Sequence, residues 1–134
     1  MENFYINHIA VFVCAVLSLA IGGLWYSPLL FAKSWQHAAG VSDEQMTRFN
    51  PAKVFGLTFI LAWLMSYNLA FFIAGPGTTW QWGVGAALLA AVWAVGMIVV
   101  IALFEQRSLK YIAINCGYVF VYFALIGFIL GIWR

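Results

Sequence analysis

Charge is what this sequence has least of. Four acids and six bases stand among 134 residues, 7% of the chain, where a soluble domain carries about 25%. So few ions cannot coat a water-facing surface, and a mean hydropathy of +0.98 assigns most of the chain to a hydrocarbon solvent. A net charge of +2 supplies no basic stripe for a phosphate backbone, so no nucleic acid is expected as a partner. Cysteine and histidine are scarce as well, two of each. Cys14 and Cys116 fall in different apolar stretches at depths roughly 10 Å apart, at 1.5 Å per residue, which argues against a disulfide. His8 and His37 fall on opposite sides of the expected membrane, so no metal site is expected. The central parts of the apolar stretches hold no ionisable residue, which argues against a proton relay. Without a legible nucleophile–base pair, phosphate loop or carboxylate dyad, the chain reads as non-enzymatic and free of cofactors.

Long hydrophobic runs are what it has in abundance. Four can be read, near Ile6 to Tyr26, Val54 to Ala74, Gly83 to Phe104, and Tyr111 to Trp133. Each is long enough to cross a ~30 Å hydrocarbon core as a helix, the conformation that satisfies its own backbone where lipid offers no partner. None alternates in the manner of a barrel strand. The expected fold is an all-α membrane protein, a single four-helix transmembrane domain over residues 1–134. No Lys or Arg precedes Lys33, so the first run reads as a retained helix rather than a secretory signal. Lys33, Arg48, Lys53, Arg107 and Lys110 fall in the first and third connections and Arg134 alone on the other side. This bias predicts cytoplasmic first and third connections and both termini outside.

Punctuation agrees with these spans. Gly75-Pro76-Gly77 predicts a tight hairpin between spans two and three, with Thr79 as N-cap of the third. Pro28 should end the first span, and residues 29–39 then read as a short amphipathic helix in the interface plane. Leu30, Phe31 and Trp35 share one face, and Lys33, Gln36 and His37 the other. Trp25, Tyr26, Phe31 and Trp35 are the expected interfacial anchors. Gly40 can close that helix, Ser42 with Gln45 reads as a capping box, and Asn50-Pro51 as the start of span two.

Span four has two distinct sides. At 100° per residue Tyr111, Asn115, Tyr118 and Tyr122 share one face, and Ala113, Gly117, Ala124, Gly127 and Gly131 the opposite one. Small residues let helices approach closely in lipid, so Gly117, Gly127 and Gly131 are expected to meet another helix, for instance the ridge Gly83, Ala87, Ala90 and Ala94 of span three. Ala10, Cys14, Ser18 and Gly22 make a similar ridge on span one. The Tyr/Asn face needs hydrogen-bond partners, because a bare amide or hydroxyl in hydrocarbon costs a few kcal/mol. Those partners can be another helix or a ligand in a pocket, and both readings stand at this point. Asn7 and His8, at the outer end of span one, are either a wetted cap or part of such a pocket, with Tyr67 and Asn68 at a depth to reach them.

The block Gly22-Gly23-Leu24-Trp25-Tyr26-Ser27-Pro28-Leu29-Leu30-Phe31, followed by Lys33 and Trp35, is distinctive. Together with Asn7-His8, Phe104-Glu105, Leu109-Lys110, Asn115-Cys116-Gly117-Tyr118 and the ending Gly127 to Trp133, it resembles the bacterial membrane family catalogued as domain of unknown function 1761. The resemblance covers almost the whole chain. It implies a small four-helix protein of a bacterial cytoplasmic membrane and, by its name, no activity. Two functions are therefore expected as alternatives. One is a structural or accessory module, in contact with membrane lipids, whose small-residue faces form a homo-oligomer or join a larger membrane complex. The other is a carrier or channel for a small neutral or lipidic compound, lined by Tyr111, Asn115, Tyr118 and Tyr122. A ligand-shaped density or a water-filled cavity on that face would favour the second, and a continuous dry contact with a partner helix the first.

Overall fold

The computed structural model describes residues 6–134, whose regular structure is helical throughout. The order is α1 (His8–Trp25), α2 (Ala32–Ala39), α3 (Asp43–Thr47), α4 (Pro51–Phe72), α5 (Trp80–Phe104) and α6 (Leu109–Ile132). Four of them, α1, α4, α5 and α6, are long and apolar enough to cross a membrane.

Short polar side chains set the helix starts by accepting from amides that the first turn leaves without partners. Asn7 Oδ1 accepts from the Ile9 and Ala10 amides at 3.0 Å. Asn50 and Thr79 serve α4 and α5 in the same way, each at 3.2 Å, and Ser42 with Gln45 forms the full capping box of α3. Ser108 caps α6. At the other end of α2, Gly40 adopts φ 70°, where a side chain would be strained.

Two local expectations need correction. The amphipathic segment is helical over Ala32–Ala39 only, because residues 29–31 are taken up by the turn around Pro28. There the amide of Phe31 bonds the Trp25 carbonyl and those of Leu30 and Ala32 bond Ser27. Spans two and three, moreover, are joined by a tight turn yet do not pack as a hairpin. Phe72 and Trp82 stack beside the turn at 6.3 Å, but α5 puts its close contact on α6 instead, while α4 lies on α1 and α1 on α6.

The reason lies in side-chain size. A Cβ on Gly83 would collide with the Gly127 carbonyl oxygen, and one on Gly127 would fall 2.6 Å from Ala87 Cβ. On Gly131 it would come within 2.7 Å of Trp80 Cα. Only helices bare at these points can approach so closely, whereas α4 turns Leu64, Met65 and Phe72 toward α5 across an open groove. The buried partners of Gly83 on α5 are Ala86, Ala87 and Ala91 rather than Ala90, which lies exposed in that groove. The helices thus stand in the order α5, α6, α1, α4, and the main core gathers where α1, α4 and α6 meet, around Val11, Cys14, Ser66, Tyr122 and Ile126.

Candidate functional site

The small ridge of α1 and the tyrosine face of α6 are the same contact seen from two sides. Ala10, Cys14 and Ser18 are almost fully buried, and across them lie Tyr118 and Tyr122, stacked on each other with ring centroids 6.1 Å apart. The Tyr118 hydroxyl donates to the Ser18 carbonyl at 3.0 Å and the Tyr122 hydroxyl to that of Cys14 at 2.9 Å. Both pairs are spaced by four residues, so successive turns of two antiparallel helices supply matching donors and acceptors. A helical carbonyl has a second lone pair for such a donor, and the ladder of α1 need not open. Ser18 Oγ bonds back to the Ala15 carbonyl at 2.8 Å, while the buried Ser66 Oγ has no hydrogen-bond partner among the described residues.

Closer to the end of α1 the same two helices are pinned by longer side chains. Trp25 Nε1 donates to the Ile114 carbonyl at 2.9 Å, and its ring occupies the space left by Gly117, where a Cβ would stand 2.8 Å from Trp25 Cζ2. Gly117 therefore does not share a contact with Gly127 and Gly131. It sits about 80° round the helix from Gly127 and serves the tryptophan instead. The Tyr26 hydroxyl reaches Asn115 Oδ1 at 2.6 Å. Outside them, Phe31 packs on Trp25 with centroids 4.8 Å apart and Trp35 on the edge of Tyr26 at 5.9 Å.

Beside this corner is a cavity of about 660 Å³, within the ~300–1,000 Å³ range of small-molecule sites. Its aromatic lining is Tyr26, Trp35, Phe49, Phe55, Tyr111 and Tyr118; Ser18, Thr58 and Asn115 are its polar lining side chains, and no charged side chain lines it. Four segments build it: the end of α1, α2, the start of α4 with Phe49 before it, and the start of α6. Phe49 and Phe55 pack edge to face at 5.7 Å. Arg107, whose guanidinium lies 5.1 Å from the Tyr111 ring centroid, is committed to Glu105 and the Ala39 carbonyl, at 3.2 and 2.9 Å.

Of the polar face of span four, Tyr111, Asn115 and Tyr118 reach this cavity and Tyr122 does not. Asn7 and His8 are not brought to it. They stand at the opposite end of α1, roughly 20 Å away along the helix axis at 1.5 Å per residue, where His8 Nδ1 meets the Tyr67 hydroxyl at 2.8 Å. Asn68 lines the separate groove between α4 and α5. Phe49, Phe55 and Thr58 were not singled out by sequence, since nothing in their local pattern separates them from ordinary flanking and lipid-facing residues. Both cysteines are buried free thiols, and no cluster of three or more potential metal ligands exists among the described residues.

A family model described as a protein of unknown function, DUF1761, matches residues 9–131. The chain belongs to that family. The DUF1761 match runs from the first turn of α1 almost to the end of α6, so it includes every wall of the cavity and the glycine contact between α5 and α6. No curated protein and no solved structure matches the chain. Membership in DUF1761 names no activity.

Proposed function

We propose that this multi-pass membrane protein is a non-enzymatic binding module that holds a small neutral or lipidic compound in the aromatic cavity beside the α1–α6 corner. The observation that carries this reading is the cavity's lining, aromatic and uncharged, into which Tyr111, Asn115 and Tyr118 converge. The packed, hydrogen-bonded layer of Tyr118 and Tyr122 on α1 supports holding rather than passage. With the bases of the first and third connections on the cytoplasmic side, the cavity would open toward the inner leaflet, and α2 would lie in the interface plane.

Gly23 supplies the test. It lines the cavity, and a Cβ there meets nothing within 4 Å, so Gly23→Leu should fold normally while filling the space. Wild type purified in mild detergent should carry a defined compound, seen by native mass spectrometry, and Gly23→Leu should lose it. Equal retention by both proteins would refute the reading.

A second reading, assembly into a homo-oligomer or larger complex, draws support from a different place. The groove of about 620 Å³ between α4 and α5 is apolar except for Asn68, with Trp93 82% exposed at its edge. Gly83, Gly127 and Gly131 do not contribute to it, since their close contacts are made within one chain. An unchanged monomeric mass for wild type and for Ala90→Trp would exclude the groove as an assembly surface.

A further inference from the structure

We infer that the ligand of the aromatic cavity is a neutral, membrane-soluble planar ring bearing carbonyl acceptors, of the isoprenoid quinone type. The inference rests on the binding reading above and names its chemistry. The Tyr26 hydroxyl donates to Asn115 Oδ1 at 2.6 Å, within the O–H···O range, so the amide oxygen is engaged on Tyr26. Asn115 Nδ2 is left with two donors and no partner among the described residues, on a side chain that lines the cavity. The hydroxyls of Thr58 and Tyr111, also at the cavity, have no partner among the described residues either. Tyr26 and Tyr118 have already used their protons on Asn115 and Ser18. The free hydrogen-bonding capacity at Asn115 is therefore donor capacity, suited to an acceptor oxygen rather than to an amine.

The walls narrow the class further. A phospholipid headgroup would bring a phosphate into a lining without a cation, and Arg107 nearby is bound to Glu105 and Ala39. A saturated chain would leave the Asn115 donors desolvated and unmatched. A planar ring uses both features, because aromatic side chains favour offset or edge contacts with another ring at centroid distances of about 4.5–7 Å. Tyr26, already edge-on to Trp35 and tilted on Tyr118 at 5.7 Å, shows that the lining is arranged for such contacts. The isoprenoid tail would leave through the open side of the cavity, past Phe55 into lipid.

The experiment is a titration of the purified full chain in detergent with a decyl-substituted benzoquinone and, separately, with decylbenzene, which has the same tail and no carbonyl. Binding is followed by calorimetry, which does not depend on quenching. The quinone should bind at least tenfold more tightly than decylbenzene, and Asn115→Leu should reduce that preference to about threefold or less, one hydrogen bond corresponding to roughly three- to tenfold. Equal binding of the two compounds to wild type overturns the quinone assignment without reference to any variant. If neither compound binds but a co-purified lipid is lost in Gly23→Leu, the cavity is a ligand site of different chemistry and only the quinone inference falls. If neither binds and Gly23→Leu changes nothing, the binding function falls with it.

Discussion

At single residues the structure separates glycines that must be bare from glycines that merely are. Gly127 faces the Gly83 carbonyl oxygen at 2.5 Å from where its Cβ would be, whereas Gly85, two residues along α5 from Gly83, has open space. Gly127→Leu should therefore force α5 and α6 apart and destabilise the protein by about 3 kcal/mol or more, beyond ordinary overpacking. Gly85→Ala should stabilise by up to ~1 kcal/mol through helix propensity alone. Unfolding in sodium dodecyl sulfate, followed by circular dichroism, measures both, and a similar response from the two variants would contradict the packing described. Gln106 offers a third case. Its φ of 58° is left-handed, and it follows α5 where the Arg107 amide turns back to the Ala102 carbonyl. Glycine is the residue such a helix end prefers, so Gln106→Gly should raise stability by about 1 kcal/mol in the same assay. The difference between Gly117 and Gly127 was not legible in sequence. Four-residue spacing marks a face on which backbones can meet, but the indole that fills the space at Gly117 comes from Trp25, a residue distant along the chain, and no periodicity points to it.

Among elements, the four long apolar helices were readable because hydrocarbon imposes length and composition on them directly, and the caps at Asn50 and Thr79 were readable because a first turn needs side-chain oxygens, whereas the Ser108 cap of α6 was not read. Pairing was another matter. A short turn makes two helices neighbours at one end only, and α5 follows the size of its side chains to α6 rather than its turn to α4. The cavity was half legible for the same reason. Tyr111, Asn115 and Tyr118 share a face by arithmetic, but Phe49 and Phe55 join them only through tertiary placement of α4. The short α2 carries the remaining wall, since Trp35 lies on Tyr26. Trp35→Ala should loosen this wall and weaken ligand retention by up to about tenfold, the worth of one aromatic pair, while α1, α4, α5 and α6 keep their helicity. Spin labels replacing Lys33, which is exposed, and Ser34, which is half-buried, should differ in accessibility to a water-soluble relaxant. Equal accessibility would mean that α2 does not lie along a boundary.

For the whole molecule, the five bases of the first and third connections against Arg134 predict both termini outside the cytoplasm. An alkaline phosphatase fusion after Arg134 should be active and a green fluorescent protein fusion at the same point dark. The reverse pattern would turn the molecule over and move the cavity to the other leaflet. Arg134 has a structural use that its isolation in the sequence conceals: its guanidinium bonds the Ile73 and Gly75 carbonyls at 2.9 and 2.7 Å, tying the end of α6 to the turn after α4.

The pairing of the first long helix with the last has a consequence for biosynthesis. α1 is made first, yet the hydroxyls that cover its ridge arrive from Tyr118 and Tyr122, about a hundred residues later along the chain. At ~5–20 residues per second the ridge waits roughly 5–20 s for that cover, with α4 the earlier helix that packs against it. A ribosome stalled before α6 would leave an incomplete pair, α1 with α4, as a natural substrate for membrane proteases. The same geometry makes the turn at Gly75–Gly77 a place where the chain could be cut into two genes. Its halves, α1 to α4 and α5 with α6, should each be short-lived when expressed alone and persist together, which a pulse-chase would reveal directly.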